Sequence, residues 1–177
     1  MEIAYKLTEK DFLDFQMYTA SKNERINKKK NKSWILIVAA SLILGIYFYF
    51  QNNIFTSIYC LSFSIITGLF YRKYFIWKHK KHYQNFIKEN YSKQFGKPIK
   101  LNFGNEYIHS SDKTEEGKFK LSEIEIINET HYHLFLKISP SMSIIIPKRE
   151  LLDIQSLKKH IAFVGIKINT ELDWTWK

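Results

Sequence analysis

The amino-acid sequence predicts an α+β membrane protein, with a two-helix transmembrane hairpin followed by a small antiparallel β domain closed by a C-terminal helix. Three observations predict it. Residues 33–71 contain no Asp, Glu, Lys or Arg, basic residues crowd both ends of that stretch, and beyond Pro98 apolar residues recur at every second position.

The uncharged stretch is too long for one crossing. As a continuous helix it would extend roughly 58 Å, about twice the roughly 30 Å hydrocarbon core. Gln51-Asn52-Asn53 interrupts it and leaves two arms, Trp34 to Phe50 and Ile54 to Tyr71, each near spanning length. Most residues in these arms favour transfer to the bilayer centre, by roughly 0.3–0.6 kcal/mol each. A buried helical pair in a soluble bundle normally keeps a polar face. A cleaved signal peptide is not expected either, because more than thirty largely polar residues precede the first arm and a second arm follows it.

Charge sets the expected orientation. Lys28, Lys29, Lys30 and Lys32 precede the first arm, and Arg72, Lys73, Lys78, Lys80 and Lys81 follow the second, while the connecting loop has no basic residue. Both termini are therefore expected on the cytoplasmic side. Trp34, Arg72, Lys73 and Trp77, with Tyr71 and Tyr74, are the expected interface anchors. The net charge of +10 divides into +3 over residues 1–33, +6 over residues 72–96 and +1 over residues 97–177. The excess flanks the bilayer, which fits anionic headgroups at about 1 kcal/mol per basic residue. Nucleic acid is not an expected partner, because the domain itself is nearly neutral. The KHKKH run at Lys78 to His82 is only a weak nucleic-acid signal.

Small residues mark the expected helix-packing face. Cys60, Ser64 and Gly68 fall four apart in the second arm, and Ser41 and Gly45 lie in the first. Such residues let backbones approach, either within the hairpin or in a homo-oligomer. Cys60 is the single cysteine, so no intramolecular disulfide exists.

Residues 1–33 read as a strand and an amphipathic helix. Thr8 with Asp11 resembles a capping box, and Phe12, Phe15 and Tyr18 or Thr19 form a narrow apolar stripe suited to packing on the domain or lying in the lipid interface. Residues 72–96 continue the second arm as a basic stalk helix, stopped by Gly96 with Pro98 beyond it. Residues 97–177 form the domain. Strands are expected at Lys100 to Phe103, Tyr107 to Ser110, Lys118 to Leu121, Tyr132 to Ile138 and Ile144 to Ile146, with turns at Gly104-Asn105, Glu116-Gly117 and Ser139-Pro140-Ser141. Leu151, Ile154, Leu157, Ile161 and Val164 then share a helix face, with Gly165 as the stop. Leu172, Trp174 and Trp176 alternate with polar residues, as an edge strand or a bilayer-touching tail would.

Several segments bear a family resemblance. Tyr5-Lys6-Leu7-Thr8 with Asp11, Phe119-Lys120-Leu121-Ser122-Glu123-Ile124, and Ile144-Ile145-Ile146-Pro147-Lys148-Arg149 make the chain similar to the YcxB-like proteins of bacteria. The resemblance implies a cytoplasmic pleckstrin-homology-like fold at the bacterial inner membrane and brings no catalytic residues. Leu151, where an aromatic is expected, and the Trp-rich tail depart from the pattern.

No constellation points to catalysis, a metal or a cofactor. His131 and His133 share a strand face but lack further ligands nearby, and Glu115, Glu116, Glu123, Glu125 and Glu129 read as solvated acids. No glycine-rich phosphate loop or nucleophile elbow is present. The candidate lipid or partner surface is basic: Lys78, Lys80 and Lys81, with Lys148 and Arg149 as a rim facing the membrane. The expected function is a non-enzymatic membrane-anchored interaction or regulatory module with a protein partner. The alternatives are an anionic-lipid sensor and an envelope-defence or toxin-immunity protein.

Overall fold

The computed structural model describes residues 1–104, 106–112, 116–139, 142–151 and 153–176. Asn105, Pro140 and Ser141 of the expected turns, and Glu115, lie outside the described residues. The chain divides into two compact units, Met1–Phe15 with Gln84–Thr175, and Gln16–Tyr83 with the chain end from Trp176.

The strand-rich unit begins with β1 (Glu2–Lys6) and the first half of α1 (Glu9–Lys22). It resumes after the helical segment with β2 (Pro98–Phe103), β3 (Tyr107–Ser111), β4 (Glu116–Lys120), β5 (Ile126–Glu129), β6 (His133–Ser139), β7 (Met142–Pro147), α4 (Ile154–Phe163) and β8 (Ile168–Thr170). One sheet has the order β1-β2-β3-β4 and the other β7-β6-β5-β8. The domain thus reaches back beyond residue 97. β1 lies antiparallel to β2, from Glu2 opposite Asn102 to Lys6 opposite Pro98.

Period-two alternation builds the first sheet. In β2 Leu101 and Phe103 are buried while Lys100 and Asn102 face solvent, as a half-buried strand requires. β6 differs, because His133, Leu134, Phe135 and Leu136 are all buried and the strand is covered on both faces. Each fully buried Leu or Ile here contributes roughly 1.5–3 kcal/mol. α4 is capped by Asp153, whose carboxylate accepts from the Ser156 amide at 3.0 Å, and it buries Leu157 and Ile161. Gly165 follows the helix at φ +81°, a conformation that favours glycine.

Three strands differ from expectation, the first being β4, which takes in Glu116 and Gly117, where a turn is expected, because they pair with Ser111 and Ser110 of β3. β5 was not anticipated, and β8 lies at Ile168–Thr170 rather than along the tryptophan tail. β8 also pairs parallel to β5, so the second sheet is mixed.

The second unit is helical. α2 (Glu24–Phe50) starts ten residues before the uncharged arm because Asn23 caps it, its side-chain oxygen accepting from the amides of Arg25 at 2.9 Å and Ile26 at 3.2 Å. The chain reverses at Gln51-Asn52-Asn53, with Asn52 at φ +58°, and α3 (Ile54–Tyr91) continues through the basic stalk. After a short 3-10 turn at Ser92–Gln94, Gly96 takes φ +70° and donates its amide to the Leu7 carbonyl at 2.9 Å. α2 and α3 are both long and apolar enough to cross a membrane, and only 11% of each apolar window is buried.

Candidate functional site

The polar centre of the strand-rich unit is a pair of buried carboxylates held by consecutive cations. Asp11, 1% exposed, lies in the first turn of α1. Arg149 grips it through both terminal nitrogens, Nη1 to Oδ1 at 2.6 Å and Nη2 to Oδ2 at 2.7 Å. Such a bidentate pair adds geometric specificity to charge. The Thr8 amide and hydroxyl each donate to Oδ2 at 2.7 Å, and His133 Nε2 lies 2.7 Å from Oδ1. Burial pushes the Asp11 carboxyl up, but the hydrogen bonds from Arg149, His133 and Thr8 outweigh it and hold the group far below the usual carboxylate range. With Asp11 ionised and able only to accept, His133 donates through Nε2.

Glu129, 3% exposed, is the second centre. Lys148 Nζ donates to its Oε1 at 2.7 Å, and Lys158 Nζ of α4 lies 2.7 Å from Oε2. Thr170 Oγ1 of β8 donates to Oε2 at 3.3 Å. Burial raises this carboxyl too, and the two lysines more than reverse the effect. Glu129 stands opposite Leu134, next in line to His133, so the two carboxylates lie on opposite faces of the sheet. Pro147 ends β7, and the turn at Lys148–Glu150 sends one cation to each face.

Lys148 and Arg149, expected as a basic rim, are both engaged by these carboxylates. Lys148 keeps 13% of its side-chain exposure and is committed to Glu129, while Arg149 is committed to Asp11. His131 and His133 do not converge on one face: His131 is exposed with its ring against Tyr132, and His133 is buried against Asp11. Among the described residues, no cluster of three His, Cys, Asp or Glu is placed to hold a metal. Glu129 is not a solvated acid but a buried anchor. The Thr8 and Asp11 motif forms half a capping box, since Asp11 takes the Thr8 amide while the Thr8 hydroxyl turns to the Asp11 carboxylate rather than its amide. The apolar stripe of α1 packs on the domain, with Phe12 against Tyr91 and Phe95 and Phe15 against Phe135.

The hairpin has its own geometry. Ser57 Oγ donates to the Gly45 carbonyl at 2.7 Å, Ser64 Oγ to the Val38 carbonyl at 3.2 Å, and Trp34 Nε1 to the Gly68 carbonyl at 3.2 Å. These pairs share a single antiparallel register. Gly45 faces Leu61 so closely that a Cβ there would lie 2.8 Å from its side chain, and Ser41 is buried with its hydroxyl turned onto the Ile37 and Val38 carbonyls. Gly45 and Ser64 are thus used within the hairpin, Gly68 contributes its carbonyl alone with nothing within 4 Å of its Cβ position, and Cys60 is half-buried. Arg72 lies over the Trp34 ring at 5.3 Å and Lys81 over the Trp77 ring at 5.6 Å. Lys73, Lys78, Lys80 and Lys81 are exposed along α3. Trp176 packs edge-on against Phe75 and His79 of α3, so this tail residue is packed.

A further feature of the strand-rich unit is an open groove of about 660 Å³ between the β4–β5 connection and the α4–β8 connection. Leu121, Ile124, Val164 and Ile166 line it, with Lys120 and Lys167.

No curated protein and no solved structure matches the chain. Residues 103–161 match the family model described as YcxB-like protein. They run from the end of β2 through both cations and into α4, and over this stretch the chain carries a YcxB-like domain.

Proposed function

We propose that this chain is a non-enzymatic membrane-anchored interaction module, whose hairpin holds a pleckstrin-homology-like domain against the inner leaflet of a bacterial membrane for a protein partner. The observation that carries the reading is the pairing of β1 with β2 across two apolar helices. A strand before the hairpin and a strand after it belong to one sheet, so two crossings return the chain to the side it left. The basic flanks make that side cytoplasmic. Ile43, Phe50, Phe55 and Leu69 are largely exposed on the helices, a surface suited to acyl chains rather than water. Two four-stranded sheets with one C-terminal helix support the pleckstrin-homology-like reading.

The half-apolar groove at Leu121 and Ile166 is the surface a partner would use. Photocrosslinking from Ser122 in living cells tests it. Capture of one defined protein is expected, and a chain that crosslinks only to itself, or stays in the supernatant after detergent-free ultracentrifugation, overturns the reading.

Anionic-lipid recognition is the second reading, favoured by one observation. Residues 25–88 contain eleven Lys and Arg and no Asp or Glu.

A further inference from the structure

The first sheet ends at β4, and among the described residues β3 is its only strand neighbour. The Leu121 amide donates to the Glu106 carbonyl at 2.8 Å, which sets the phase of the antiparallel ladder and turns the backbone groups of Phe119 and Gly117 toward β3 as well. Those of Glu116, Lys118 and Lys120 therefore point away from the sheet. A row of this kind is a template for one more strand.

Side chains on this edge select what can join it. Lys118 and Lys120 are exposed on the outer face, Lys118 over the Tyr107 ring at 4.0 Å, while Phe119 and Gly117 stand on the inner face with Ile108 and Ser110. Neither lysine is paired with a carboxylate among the described residues. The strand also runs straight into the groove, because its last residue Lys120 lines that space with Leu121, Ile166 and Lys167. Of the acids nearby, Glu125 pairs with Lys137 at 2.6 Å and Glu116 lies at the far end of β4, which leaves Glu106 against Lys118, Lys120 and Lys167. The groove end of this edge is therefore cationic.

We propose that a protein partner docks by adding an extended acidic segment to the free edge of β4. Because side chains alternate across a strand, its carboxylates would meet Lys118 and Lys120 on the outer face while its aliphatic residues follow Phe119 on the inner face toward Leu121 and Ile166. The inference rests on the interaction-module reading and supplies the chemistry of its partner. A second copy of β4 fits less well, since pairing about the strand centre sets Lys118 against Lys118.

Disulfide tethering tests it with the full chain in nanodiscs, using Ser122→Cys in a Cys60→Ser background and octapeptides that carry a thiol at either end, equilibrated in excess 2-mercaptoethanol. A peptide alternating glutamate with valine should be captured about tenfold more than one alternating lysine with valine. Lys118→Glu with Lys120→Glu should reverse that preference, and the reversal also verifies that the variant is folded. N-methylation of alternate amides in the acidic peptide should abolish capture in one phase and spare it in the other, because only one edge of a strand bonds to a given neighbour. Equal capture of both peptides, a preference unchanged by the double substitution, or equal effects of the two methylation phases overturns strand addition. Disulfides between two chains in preference to the peptide overturn the acidic segment as occupant. Photocrosslinking from Ser122 separates this from the wider reading, since one protein captured in cells equally by wild type and the doubly substituted chain overturns the added strand while the interaction module stands.

Discussion

Asp11 and Arg149, separated by 138 positions in sequence, are joined by two parallel hydrogen bonds of 2.6 and 2.7 Å. The link fastens the first turn of α1 to the turn after β7. Arg149→Ala should destabilise the strand-rich unit by about 2 kcal/mol, less than the roughly 3–5 kcal/mol of a fully buried pair because Arg149 stays 46% exposed. Chemical unfolding of the detergent-solubilised chain measures this, and amide exchange should show β1 opening first.

Acid should act through the same carboxylates. Both Asp11 and Glu129 have folded pKa values below their unfolded ones, so each contributes stability that is present above the unfolded value and is lost as pH falls toward the folded one. With unfolded values of about 3.9 and 4.3, the decline should begin near pH 5 and continue downward. Glu129→Gln should lower stability at pH 7 and flatten the acid slope. Unfolding midpoints between pH 7 and pH 3 check both.

Within the hairpin, two glycines should respond differently. Gly45→Val drives a side chain into Leu61 and should cost about 1–3 kcal/mol, while Gly68→Ala meets nothing within 4 Å and should stay within about 0.5 kcal/mol. Ser57→Ala removes the hydrogen bond to the Gly45 carbonyl and should cost about 0.6 kcal/mol. Thermal unfolding in one detergent ranks the three.

A fragment of residues 97–177 should fold poorly. It lacks β1, the edge strand of the first sheet, and Asp11, the partner of Arg149 and His133. Linking residues 1–15 to its start through a flexible connector should restore a cooperative transition, read by circular dichroism.

Much of the fold was legible because local chemistry decided it. Gln51-Asn52-Asn53 split the apolar stretch where the helices end, and Gly96 and Gly165 stopped helices at positive φ. The alternation at Lys100 to Phe103 and Tyr107 to Ser110 marked real strands. β5 was hidden because its Glu129 reads as solvent-facing, and only Lys148 and Lys158, distant in sequence, make a buried carboxylate tolerable there. The same distance hid Asp11, whose local role as a cap was visible but whose bonds to His133 and Arg149 were not. β8 was missed because a three-residue strand pairing parallel to β5 leaves little periodicity to read.

The pairing of β1 with β2 also sets a clock for biogenesis. β1 leaves the ribosome about ninety residues ahead of the segment it must join, a wait of roughly 5–20 seconds at ordinary synthesis rates. During that interval both long apolar helices emerge. The strand-rich unit therefore cannot close its first sheet until both long helices have been made.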